Sequence, residues 1–203
     1  MAEQKGENRI VLRGQVAGEP ALTHSNHGVD YATVPFRVPR LSGAEDVLNL
    51  VLPWSQRALW PAGAWRWAEG EVRSFNNRSG TGARLVITVL VRSAGPAEEG
   101  EGENRLVLSG ALCKQPVRRR TPLGREICDL LLAVNRPYGR ADYLPCIAWG
   151  SLAALCGTLN VGDRLRLEGR LQSRRYRKLT ESGEESRTAY EVSVMNLLED
   201  EEA

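Results

Sequence analysis

Between Asp142 and Lys178 the chain reads DYLPCIAWGSLAALCGTLNVGDRLRLEGRLQSRRYRK. Tyr143, Trp149 and Tyr176 are spread along this stretch. Arg164, Arg166, Arg170, Arg174, Arg175, Arg177 and Lys178 crowd its second half. Bases stack on aromatic faces and guanidinium groups neutralise phosphates, so rings interleaved with cations suit a groove for single-stranded nucleic acid. Arg outnumbers Lys 24 to 3 in the whole chain. Arg stacks on rings and forks onto phosphate better than Lys does, although a coding bias toward Arg would account for part of the excess.

Other chemistries find less support. His24, His27 and Asp30 lie in a turn without a third and fourth ligand at metal-binding spacing. Glu126, Asp129 and Asp142 form no acid–base pair, and Asp129 belongs to an alternating strand. The GEGE run at 100–103 lacks the Lys-Ser/Thr that closes a phosphate loop. No nucleophile sits beside a base. The expectation is a protein that is not an enzyme and uses no cofactor or metal. Cys113, Cys128, Cys146 and Cys156 contain no C-x-x-C pair and sit in apolar contexts, so buried free thiols are expected. The sequence has no apolar run of transmembrane length and no signal-peptide pattern, which points to a soluble, cytoplasmic, nucleoid-associated protein.

The elements that must carry these residues can be read from a repeat. NRIVLRGQVAGEP, from Asn8, is answered by NRLVLSGALCKQP, from Asn104, at an offset of 96 residues. YATVPFRVPR is answered by ICDLLLAVNR at the same offset, and AEGEVRS by LEGRLQS at 99. Two units of one fold follow: residues 1–93 and 104–198, with an acidic Gly/Glu linker at 94–103 and a short acidic tail at 199–203. The net charge of +2 conceals this pattern, because 8–93 carries +4 and 104–198 carries +7 while linker and tail carry −4 each. Within each unit, alternating apolar residues predict strands, and SLAALCGTLN predicts one short helix, capped by Ser151 and ending near Gly157. Five strands with a helix between the third and fourth predict an all-β fold of two tandem five-stranded OB-fold barrels. The internal Gly of IVLRGQV and LVLSGAL marks a bend or bulge. Alternation after Gly162 places Leu165, Leu167 and Leu171 inside and Arg164, Arg166 and Arg170 outside.

From Asn104 to Tyr176 the sequence resembles the bacterial single-stranded DNA-binding protein (SSB) family. The likeness is an ordered series: the first strand NRLVLSGAL, the basic hairpin RRRTPLGR, then LAVNRPY, LPCIAWGSLA and GDRLRLEGRLQSRRY. It implies that single-stranded DNA wraps past rings at Tyr138, Tyr143, Trp149 and Tyr176. Arg118, Arg119, Arg120, Arg125, Arg174, Arg175 and Lys178 would hold phosphate, joined by Arg136, Arg164 and Arg166. The resemblance further implies a coat on exposed strands during replication, recombination or repair, and a homodimer presenting four OB folds. The alternative reading is a primosome-type or mobile-element OB protein that acts mainly through protein contacts.

The first unit departs from the family pattern. Ser42, Val47 or Leu48, and Asn77 stand where the second unit has rings, and Trp54 alone answers Trp149. The unit is therefore expected to be degenerate for stacking. It carries Trp60, Trp65 and Trp67 instead, and an OB–OB interface is the first expectation for them, ahead of base stacking or core packing. Family members usually end in an acidic tail with a Pro-Phe tip that recruits replication and repair enzymes. This sequence stops at LLEDEEA, which puts that recruitment in doubt.

Overall fold

The computed structural model describes residues 6–77, 84–180 and 183–199, with the side chains of 178–180 excepted. The chain divides into two compact units. One comprises Arg9–Arg105 with Gln172–Ala189; the other comprises Leu106–Leu171 with the described parts of Met1–Asn8 and Tyr190–Ala203. We call them the N-terminal and C-terminal units.

The N-terminal unit is built on β1 (Asn8–Val16), β2 (Ala21–Asn26), β3 (Val29–Pro39), β4 (Glu45–Pro53), β5 (Trp65–Asn76) and β6 (Leu85–Pro96). A 3-10 helix, Trp54–Leu59, follows β4. β1 is antiparallel to β5 along most of its length and to β3 at its end. β3 pairs with β4, β4 runs parallel to β6, and β6 returns to β5. This circuit closes a five-stranded barrel. β2 lies outside it as a hairpin arm on β3, turned by His27 and Gly28 with positive φ of 48° and 76°, the conformation a two-residue hairpin loop requires.

The second repeat follows the same plan with β7 (Glu103–Leu112), β8 (Val117–Arg120), β9 (Glu126–Arg136), β10 (Arg140–Trp149), α1 (Gly150–Cys156), β11 (Arg164–Thr180) and β12 (Gly183–Leu198), although the ends of β11 and β12 that meet group with the N-terminal unit. The pairings Ala111↔Ala133 and Leu112↔Leu132 reproduce Gln15↔Arg37 and Val16↔Phe36 at the repeat offset. β10 runs parallel to β12 as β4 does to β6. The expected fold, two OB barrels each with a short helix after the third strand, is what the structure shows.

Alternation explains the barrels. Ile10, Leu12 and Val16 of β1, and Leu106, Leu108 and Leu112 of β7, are buried at every second position. Leu165, Leu167 and Leu171 do the same on β11, while Arg164 is exposed and Arg166 and Arg170 are half-buried. Each such aliphatic side chain contributes roughly 1.5–3 kcal/mol by leaving water. Gly14 and Gly110 sit where β1 and β7 pass from one neighbour to another. A Cβ at either would collide with a carbonyl oxygen, that of Arg37 or Ala133.

β6 extends to Pro96, opposite Arg66, so the acidic segment begins within a strand and only residues 97–102 are irregular. The four cysteines are free, with Cys128, Cys146 and Cys156 buried and Cys113 partly so. Burial pushes the Cys156 thiol up to about 11, and it pushes Cys146 upward more strongly.

Candidate nucleic-acid interface

The interface in the C-terminal unit is built on β8, β9 and β10. Residues of β10 alternate, so Tyr143, Pro145 and Trp149 share the outward face, while Ile147 in the same row is buried. Tyr143 is 49% exposed and Trp149 37% exposed. Five residues of strand lie between them, a span on the order of 20 Å. Trp149 pairs with Ile127 of β9, and Ile127 pairs with Arg119 of β8. Arg119, Ile127 and Trp149 therefore form one row across three strands. A guanidinium and an indole on that row are about two strand spacings, roughly 10 Å, apart.

Tyr138 occupies the turn between β9 and β10. It is 96% exposed and has a φ of 66°, followed by Gly139 at 65°. A left-handed conformation at a non-glycine residue costs on the order of 1–2 kcal/mol, and the exposed ring buries nothing in return. Tyr176 is half-buried on β11, with the Arg174 guanidinium 5.7 Å from its centroid. Arg175 is exposed beside it, as is Arg164 at the start of the strand. The side chain of Lys178 lies outside the described residues.

The basic hairpin is not a set of bare cations. Arg119 forks onto Asp129, with Nε donating to Oδ2 at 2.5 Å and Nη2 to Oδ1 at 3.2 Å. This contact raises the Arg119 guanidinium above its ordinary value. Glu126 accepts from both Arg118 and Arg120 at 3.3 Å. Arg125 is exposed in the turn, where its backbone N–H donates to Thr121 Oγ1. Sequence reading treated Glu126 and Asp129 only as failed acid–base candidates. Their cross-strand placement against the three arginines is what it missed.

Two more of the expected phosphate ligands have partners within the chain. Arg136 Nη1 donates to Oδ1 of the fully buried Asp142 at 3.2 Å. Arg40 and Asp46 form the corresponding pair in the N-terminal unit, with Asp46 also fully buried. A buried carboxylate needs its counter-charge, so Arg136 is committed to the fold. Arg166 Nε donates to Glu7 at 2.8 Å and its Nη1 to the Glu199 carbonyl at 3.4 Å, leaving the side chain mostly covered.

In the N-terminal unit, Trp60 is 1% exposed and meets Phe36 edge-on, with centroids 6.0 Å apart. It belongs to the core and drops out of the expected interface. Trp67 is 39% exposed and its ring lies against Gly95 of β6, while Trp65 is half-buried. Trp54 is half-buried, with the Arg57 guanidinium 4.6 Å over its ring. The ladder places Pro53, and not Trp54, in the position of Trp149. Tyr31, which sequence reading passed over, stacks on His24 with centroids 5.1 Å apart and planes 8° from parallel. Strand alternation alone puts Tyr31 on the outward face with Thr33 and Pro35, so its signal was available. Its counterpart at the repeat offset is Ile127, so the repeat comparison gives it no matching ring.

The comparisons with known proteins agree with this geometry. The model of the single-strand binding protein family matches residues 103–198. A single-stranded DNA-binding protein of Oceanobacillus iheyensis is 31% identical over 99 residues, covering 45% of this chain and 58% of that protein. Single-stranded DNA-binding protein 3 of Listeria innocua is 38% identical over 80 residues, covering 36% of this chain and 50% of that protein. The chain thus spans about half the length of these curated relatives. The wild-type single-stranded DNA binding protein of Thermus aquaticus superposes with a TM-score of 0.78 at 22% identity, covering 98% of this chain and 96% of the other, which is a likeness of fold. The OB barrel, the ordered motifs and the match to the single-strand binding protein family all converge on the second repeat, residues 103–198.

Proposed function

We propose that the chain binds single-stranded DNA without regard to sequence, as a coat on exposed strands in replication, recombination or repair, and that it acts without a catalytic step. The observation that carries this reading is the outward face of β9 and β10. There Tyr138, Tyr143 and Trp149 project to solvent beside an arginine-bearing hairpin. Rings accept any base, each contributing on the order of 1–3 kcal/mol. Tyr176 with Arg174 and Arg175 on β11 offers the same kind of chemistry. The second repeat, residues 104–198, is the main reader.

A homodimer presenting four OB barrels is part of the proposal, with the exposed edge of Trp67 as one contact. So is a place in the cytoplasm, associated with the nucleoid. Among the described residues no helix is long and apolar enough to cross a membrane.

Titration with poly-dT, followed by tryptophan quenching at low and high salt, tests the binding. Quenching should saturate, and affinity should fall steeply as salt rises, because each neutralised phosphate releases a counterion. A protein that shows no salt-sensitive binding to poly-dT would not be a single-strand binder.

A further inference from the structure

β11 begins in the C-terminal unit and ends in the N-terminal one, with Leu171 the last residue of the former and Gln172 the first of the latter. Just past this handover, two hydrogen bonds hold Ser173. Its backbone N–H donates to Oδ1 of Asp46 at 2.8 Å, and its Oγ accepts from the Val47 backbone N–H at 3.0 Å. β6 is registered with β4 at Leu50 and Val51. Ahead of that point, at Val47, Ser173 takes the role of a strand neighbour.

Asp46 is itself held in place. It is fully buried, and Arg40 donates from Nε to its Oδ2 at 2.7 Å and from Nη2 to its Oδ1. The carboxylate cannot turn away from Ser173 without giving up a forked, charge-assisted pair. One hydrogen bond would fix a point on β11 and leave the strand free to roll about its own axis. Two bonds, one to the main chain and one to the side chain of the same residue, fix the roll as well. Alternation then decides which side chains each face carries. Arg174 and Tyr176 share the face opposite Ser173 and Arg175, and the Arg174 guanidinium lies 5.7 Å from the Tyr176 centroid. Tyr176 is three residues past the anchor, a reach on the order of 10 Å along a strand.

We infer that Asp46 and Ser173 are positioning residues for DNA contact: by clamping β11 to the start of β4, they fix the direction in which Tyr176 is presented. Tyr176 belongs to the second repeat by sequence and to the N-terminal unit by attachment. This rests on the reading of the chain as a single-strand binder. It adds no contact to that reading. It assigns the aim of one ring to a buried carboxylate and a serine on a different face of the strand.

A double-mutant cycle on the full chain, with poly-dT as the probe, tests the assignment. Tyr176→Leu should weaken binding about five- to a hundredfold, the loss of one stacked ring. Ser173→Ala removes the hydroxyl without adding bulk and should weaken binding about two- to fivefold. Ser173→Thr keeps a hydroxyl on the same carbon and should bind as the unsubstituted protein does. The decisive variant is Ser173→Ala/Tyr176→Leu. It should bind no more weakly than Tyr176→Leu alone, because the aim of the ring no longer matters once the ring is gone. Losses that simply add would mean that Ser173 acts elsewhere, and would overturn the inference. Binding by Ser173→Ala equal to that of the unsubstituted protein, or no loss in Tyr176→Leu, would overturn it too while single-strand binding stood. An unsubstituted protein that did not bind poly-dT would remove the underlying reading as well.

Discussion

Glu126 and Asp129 together engage Arg118, Arg119 and Arg120. Under the proposed function they hold the place a phosphate would take. These pairs are about half-exposed, so each is weak and easily exchanged. Exchange changes the thermodynamics of binding more than its possibility. An arginine that leaves a carboxylate for a phosphate frees that carboxylate to attract a cation, which offsets the counterion released from the DNA, whereas an unpaired arginine gives the full net release. The Glu126→Gln/Asp129→Asn variant should therefore bind poly-dT a few-fold more tightly at low salt. Its plot of log affinity against log salt should also be steeper. Weaker binding at low salt would show that the carboxylates orient the arginines rather than compete for them. The arginines were legible in the sequence as a basic hairpin tip. Their partners were not, because Asp129 faces Arg119 only once the β8–β9 register is known.

The third-strand hairpin of each barrel is closed by a buried ion pair, Arg40–Asp46 in one and Arg136–Asp142 in the other. In the N-terminal unit Asp46 also accepts the Ser173 backbone N–H at 2.8 Å, and Ser173 Oγ accepts from the Val47 N–H at 3.0 Å. Arg136→Ala would remove the guanidinium held against the fully buried Asp142 carboxylate. Since Arg136 itself is partly exposed, the cost should be about 2–4 kcal/mol, below the full loss for a deeply buried pair. Arg175→Ala, at an exposed position, should stay within about 0.5 kcal/mol of the unsubstituted protein. Chemical denaturation distinguishes the two, and equal stabilities would refute the structural role of Arg136. From the sequence, Arg136 and Arg175 looked alike: both are arginines next to ring-bearing segments. What separates them is a carboxylate six residues away, brought across a hairpin and buried.

At the scale of the molecule, the offset of 96 residues exposed both barrels, because every strand pairing in one has its counterpart in the other. The same comparison misread the Trp60 side chain, which fills a core that the second unit packs differently. It could not foresee that Gln172–Ala189, part of the second repeat's sequence, groups with the N-terminal unit, since such grouping depends on contacts far apart in sequence. The thiols test the C-terminal barrel as a whole. Cys146 and Cys156 have raised folded-state values, so folding favours their protonated forms. Their contribution is complete below the unfolded thiol value and is lost as pH rises from about 9 toward 11. Stability should decline across that window. At neutral pH, Ellman's reagent should label Cys146 and Cys156 only after unfolding. Rapid labelling of either in the native protein would contradict the packed barrel.

Tyr138 bears on how this protein would respond to laboratory selection. Its backbone strain is a debt to function, since the exposed ring contributes no packing. A library sorted for heat resistance in the absence of DNA has no reason to keep it. Asn and Gly, which tolerate left-handed backbone, should displace Tyr138 early, and the resulting clones would be sturdier proteins that hold single strands less well.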